Sequence, residues 1–358
     1  MPANGAMLRL ARQRRGLHQK DAAPLLGVEQ PILSRVENDL AVATDDLIQR
    51  AENAYHIPKD FFYQTDTVYG PPVSVHPMWR KKTDVSARDV DSIVADLNIR
   101  AMHLRRLLDG VDLKTKADIP RLDVDEFEDI EKIALMVRAH WQIPSGPIKN
   151  LTVYAERAGI IVMHSNMSGT TISGVTFSIP GLPPIVLLND EQPADRMRFT
   201  LAHEIGHLVM HKFPRASMEE EANDFASCLL MPASEMRQAF RGRKVELSLL
   251  GALKPEWRVS MQALLMRAKR LGYLTDGQNQ YLWKQISARG LRLREPPQFD
   301  IAKELPTVPP RIIDAYKSSL GYTDKELAGL LVEFPDSFIS MYGEKGHPPP
   351  RPKLTLIV

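Results

Sequence analysis

The strongest constraint on this chain is an apolar stretch, residues 198–211, that carries His203-Glu204-Ile205-Gly206-His207. Phe199, Leu201, Ala202, Leu208 and Val209 predict a buried helix, on which residues four apart point the same way. Two imidazoles and a carboxylate on such a helix are costly without a common partner. A metal ion is the simplest partner. Zinc hydrolysis needs two neutral nitrogen ligands, one more ligand, an open position for water and a carboxylate to take its proton. His203 and His207 are therefore the expected metal ligands and Glu204 the expected base.

The third ligand is expected from the next helix, residues 217–232. Its buried stripe is Ala222, Phe225, Ala226 and Leu229, Ser217 with Glu220 reads as a capping box, and Pro232 marks its end. The short connection 212–216 predicts antiparallel neighbours. Glu220 faces away from the stripe, while Glu219 and Glu221 lie on its two flanks. Glu219, nearer the middle, is the expected ligand and Glu221 the reserve. Asn223, four residues after Glu219, is placed to orient a ligand histidine. His211 is turned about 80° around the helix from His203 and reads as a C-terminal histidine facing the last carbonyls.

A length of 358 residues suggests two or three domains, and 44% hydrophobic with 25% charged residues is the balance of a globular chain. A net charge of +2 argues neither for nor against nucleic acid. The single cysteine, Cys228, excludes an internal disulfide and reads as a core side chain. No signal-like or membrane-spanning apolar run is present, so the expected location is cytoplasmic, with no membrane partner.

Residues 1–66 read as five short helices, with a turn at Gly27-Val28 between the second and third. This segment resembles the Cro/repressor-type (XRE) helix-turn-helix family through Leu8, Ala11-Arg12, Arg15-Gly16-Leu17, Gln19, Ala22, Leu25, Gly27-Val28 and Ser34-Arg35-Val36-Glu37-Asn38. By that resemblance residues 29–37 are the recognition helix. Gln30, Ser34 and Arg35 then face the major groove of double-stranded DNA. Gln19, with Arg12 and Arg14, would contact phosphates. Basic and acidic residues balance through Asp60, and Asp39 stands where the family often has Gly.

Residues 67–120 are expected to form a linker and one long helix, 86–108, whose Arg100, Arg105 and Arg106 read as a solvated face. The helix reads as connecting or dimer-forming, which leaves a homodimer open. Residues 121–253 then alternate helices (125–141, 150–158), three β-rich runs (160–163, 172–178, 184–189) and the two helices of the expected metal site, an α+β arrangement. The strand at 185–188 is read as an edge open to an added peptide strand.

This region looks like the ImmA/IrrE metallopeptidase family. The resemblance is carried by Trp141, Pro144, Gly146-Pro147-Ile148, Asn150-Leu151, Gly159-Ile160, Val162, Ile185, Leu187, Asn189 and the stretch from Arg198 to His207. It continues through Glu219, Glu221-Ala222-Asn223, Phe225-Ala226 and Leu229-Leu230-Met231-Pro232. It implies a zincin-like domain, Zn2+ as cofactor and endopeptidase action on a repressor-like protein, and it supports Glu219 while leaving the choice against Glu221 open.

Residues 254–358 read as a helical C-terminal region with a Pro-rich, extended tail. Arg289-Gly290-Leu291-Arg292 and Glu295-Pro296 resemble a stretch found after the catalytic part in longer members of that family. On the helix 261–271 the Arg/Lys face reads as solvated. The expected whole is a multidomain, mainly α protein: a five-helix helix-turn-helix bundle, a zincin-like α+β metallopeptidase domain and a helical end. The alternative is a DNA-binding regulator whose peptidase-like domain is a non-catalytic sensor or protein-interaction module of toxin-antitoxin type.

Overall fold

The computed structural model describes residues 2–71, 86–127, 129–167, 170 and 172–343. The Pro-rich tail and part of the linker at residues 69–72 lie outside the described residues. Among the described residues the chain is mostly helical, with one three-stranded sheet, and it divides into two compact units. Among the described residues no helix is long and apolar enough to cross a membrane.

The first unit contains residues 1–68, 98–112 and 308 onward. It begins with α1 (Gly5–Arg14), α2 (Gln19–Leu25), α3 (Gln30–Glu37) and α4 (Asp45–Tyr55), and a 3-10 turn (Lys59–Tyr63) follows where a fifth helix was expected. Of the apolar positions at helical spacing, Leu8, Ala11, Ala22, Leu33, Val36, Leu47 and Ala51 are buried and form the core, Val28 is half-buried, and Leu25, also expected inside, is exposed. Gly5 is required by packing: a Cβ there would lie 2.2 Å from the Val36 carbonyl oxygen. Asp39 has φ 57°, the left-handed conformation that glycine adopts freely, and its carboxylate accepts from the Gly5 N–H at 2.8 Å.

The long helix α5 (Ala87–Asp109) crosses the division between the units, which falls between Leu97 and Asn98. Its arginines do not form a uniformly solvated face. Arg100 is buried, and Arg106 pairs with Asp66 at 2.8 Å.

In the second unit, α6 (Val124–Phe127) and α7 (Ile130–His140) replace the single helix expected over 125–141. Asp129 starts a new helix by accepting from the Glu131 N–H. After α8 (Leu151–Arg157), β1 (Ile161–Ser165), β2 (Gly174–Phe177) and β3 (Ile185–Asn189) form a sheet in the order β1-β3-β2, with β1 parallel and β2 antiparallel to β3. The edge reading of 185–188 is thereby overturned. β3 is central and its ladder is committed on both sides, so it cannot take a further strand.

From β3 the chain enters α9 (Ala194–Met210) and returns along α10 (Met218–Leu230). α9 is buried on nearly all sides. Gly206 lets the two helices close up, since a Cβ there would sit 3.0 Å from the Phe225 ring and 3.3 Å from Ala222 Cα. The expected Ser217 capping box does not form. Ser217 has φ −90° and ψ −6°, already helical, and its side chain makes no cap bond.

The helices α11 (Ala233–Phe240), α12 (Leu247–Trp257), α13 (Met261–Arg270) and α14 (Asp276–Ala288) complete this unit. Arg267 of α13, expected in solvent, is fully buried; it donates to the Met231 carbonyl at 2.8 Å and pairs with Glu131 at 2.5 Å. Lys254 is buried between Asp195 and Glu295, and Glu295 also accepts from the N–H groups of Met261 and Gln262 at the start of α13. Further on, Glu304 pairs with Arg198 and accepts from the Thr152 N–H. Back in the first unit follow α15 (Val308–Leu320), α16 (Asp324–Leu331) and α17 (Pro335–Tyr342). Val332, a β-branched residue at φ 57°, caps α16 and turns Glu333 into a buried pair with Arg14.

Candidate metal centre and nucleic-acid face

α9 and α10 bring His203, His207 and Glu219 into one group. One donor atom from each lies within 4.8 Å of the others, a grouping able to hold a metal ion. The Nε2 atoms of the two histidines are 2.9 Å apart. Glu219 Oε2 is 3.4 Å from His203 Nε2, and Glu219 Oε1 is 3.4 Å from His207 Nε2.

The other side of each ring is held. His203 Nδ1 is 3.0 Å from Asn223 Oδ1, and His207 Nδ1 is 2.9 Å from His211 Nδ1. An amide oxygen only accepts, so His203 carries its hydrogen on Nδ1 and keeps the Nε2 lone pair inward. His207 and His203 therefore converge on a point that calls for positive charge, either a proton or a cation.

The electrostatics differ at the two rings, favouring the neutral form at His207 and the protonated form at ion-free His203. Burial together with neighbouring His203 pushes the His207 pKa down to about 3. At His203 burial opposes protonation, but Glu219 and Glu204 outweigh it and the pKa is raised. Neutral imidazole is the form that binds a metal.

Glu204, almost fully buried, lies one residue beyond His203 and accepts from the Thr176 hydroxyl on β2 at 2.6 Å. Burial raises its pKa above the ordinary carboxylate value, against the lowering effects of His203 and Thr176. Thr176 was not singled out from the sequence. It sits 28 residues before Glu204 in a short strand, and only the return of the sheet onto α9 makes them neighbours. His211 does not face helix-end carbonyls, as expected, but bridges the His207 and Glu221 side chains. Glu221, the reserve ligand, points to His211 and Arg215 and not to the His203–His207 pair.

A cleft of about 1480 Å³ runs past Glu219 and Asn223, bordered by Phe199, Met266 and Trp283.

In the first unit, Gln30 and Arg35 on α3 are exposed and Ser34 is half-buried. Gln30 donates to Gln19 at 2.9 Å, and Gln19 donates to Glu37 at 2.8 Å. Arg12 is not available to a phosphate. It is buried in a two-point pair with Glu37, at 2.6 and 2.8 Å, and donates to the Leu17 carbonyl at 2.5 Å. Arg14 is engaged with Glu333. Both arginines turn away from an outer role because buried carboxylates stand opposite them.

Each of the two units also contains a segment that matches a family model. Residues 8–62 match a helix-turn-helix family model, and residues 155–269 match the model described as the IrrE N-terminal-like domain, Peptidase M78. No curated protein matches the chain. The two matches, one on each unit, support a DNA-binding helix-turn-helix segment and an IrrE-type, peptidase-like segment in this chain.

Proposed function

We propose that the chain is a DNA-binding zinc metallopeptidase that cleaves a repressor-like protein, with residues 121–253 as a zincin-like catalytic domain. His203, His207 and Glu219 hold the ion. The observation that carries this reading is the convergence of two Nε2 lone pairs and a carboxylate. Tetrahedral zinc with ligands at about 2.0–2.1 Å sets donor atoms roughly 3.4 Å apart. The two histidine–Glu219 separations are 3.4 Å and the histidine pair is somewhat closer at 2.9 Å.

Zinc bound there supplies a Lewis acid and brings the pKa of water to about 7. The remaining work falls to the chain. Thr176 holds the Glu204 carboxylate in place, and that carboxylate accepts a proton from water and passes it to the departing amine. The cleft beside Glu219 has room for an extended peptide. β2, outermost in the sheet among the described residues and joined to Glu204 through Thr176, takes over the strand-pairing role first read at 185–188. Gln30, Ser34 and Arg35 read bases, and Gln19, held between Gln30 and Glu37, positions the backbone.

The test combines zinc content with cleavage of a repressor-like protein, the first candidate being any small repressor that a neighbouring gene encodes. Wild type is expected to carry one zinc and cut the repressor. Glu204→Gln should keep the zinc and lose cutting by a factor of at least ~100. A Glu204→Gln protein that cuts at the wild-type rate removes the base, and a wild type without zinc removes the metal site.

A further inference from the structure

The carboxylate of Glu221 is anchored at both oxygens. Oε1 is 3.1 Å from the Arg215 guanidinium and Oε2 is 2.9 Å from His211 Nε2. His211 Nδ1 then meets His207 Nδ1 at 2.9 Å, and Glu221, His211 and His207 are all buried. Hydrogen-bond logic fixes the protons along this line. A carboxylate only accepts, so His211 Nε2 carries a hydrogen. A neutral imidazole has one donor and one acceptor, so His211 Nδ1 accepts. His207 Nδ1 must donate, which leaves the lone pair on Nε2, the atom that faces His203 and Glu219. Exchanging donor and acceptor on either ring would set two hydrogens or two lone pairs against each other.

We propose that Glu221 and His211 form a positioning line that sets the tautomer and the orientation of His207, so that the chain presents Nε2 to zinc. Neither residue touches the ion. The line is the buried counterpart of the single contact from exposed Asn223 to His203. Outer partners of this kind raise the basicity of a ligand histidine and fix its ring. The inference rests on the zinc reading above and turns Glu221 from a reserve ligand into an anchor.

The test is zinc affinity of the full chain, measured by competition with a chromophoric chelator, alongside thermal unfolding of the metal-free proteins. His211→Ala and Glu221→Ala should each weaken zinc about 10- to 100-fold. His211→Gln should stay near wild type, because its amide oxygen can accept from His207 and its NH2 can donate to Glu221. If His211→Ala does not fold, the contrast between Glu221→Ala and His211→Gln carries the test. Unchanged affinity in Glu221→Ala overturns the line. A Glu221→Ala loss as deep as that of Glu219→Ala also overturns it, by making Glu221 a ligand. A wild type that binds no zinc overturns the metal reading itself, a result distinct from unequal variants on a zinc-binding wild type.

Discussion

The buried network around Arg12 and the one around His207 are built from similar groups and end differently. In the first unit Arg12 meets Glu37, Gln19 joins Glu37, and Gln30 joins Gln19. The buried positive charge meets a buried negative one, and the line runs outward to an exposed glutamine. In the second unit the lines from Asn223 and from Glu221 through His211 run inward and stop at two imidazole nitrogens facing one another beside Glu219. A network that balances its own charge is scaffold. One that converges on unshared lone pairs has a place for an ion. Burial alone does not separate the two; the direction in which donors and acceptors run does.

Variants can break this contrast. The largest effect is expected from Glu219→Ala, which should cut zinc affinity beyond the ~100-fold that outer partners cause, with the helix-turn-helix unit unfolding as in wild type. Zinc retained at full affinity would make the convergent network another scaffold. Next comes Arg12→Ala, which strands Glu37 in the core and should cost about 3–5 kcal/mol in urea unfolding of that unit. The double change Arg12→Met with Glu37→Leu should recover most of it. A loss below ~1 kcal/mol for the single variant would mean that water reaches the pair. Arg35→Ala should leave stability alone and weaken specific DNA binding by about 1–3 kcal/mol, read in a gel shift at fixed salt. An unaltered shift would move base reading elsewhere. The smallest effect is a gain: Val332→Gly should raise stability by roughly 1 kcal/mol by relieving the left-handed backbone, and a melting temperature that falls would show that Val332 packing outweighs the strain.

Periodicity made the buried stripe of α10 readable, along with the Glu219 flank and most of the helix-turn-helix core. It could not separate Glu219 from Glu221, because both flank the stripe and the choice depends on where His211 turns. Long-range pairing was hidden for the same reason. Arg100 and Arg267 looked like solvated arginines, yet both are buried; Arg267 is matched by Glu131, 136 residues away. Nor does an apolar strand pattern say whether a strand lies at the centre or the rim, and β3 was misplaced on that account. Ser217 had the right residue three positions before Glu220, but capping needs an extended backbone at that point, and its backbone is helical.

The Lys254 site has a practical consequence for anyone dividing the gene. A fragment that stops at residue 269, where the family match ends, keeps Lys254 and Asp195 but discards Glu295, which neutralises the same ammonium and ties down the first turn of α13. It also strips Glu304 from Arg198, four residues before Ala202 on the helix that bears both histidines. Such a truncation should emerge from the ribosome with two under-compensated cations in its interior and go to inclusion bodies, whereas one extended through Thr307 keeps both carboxylates.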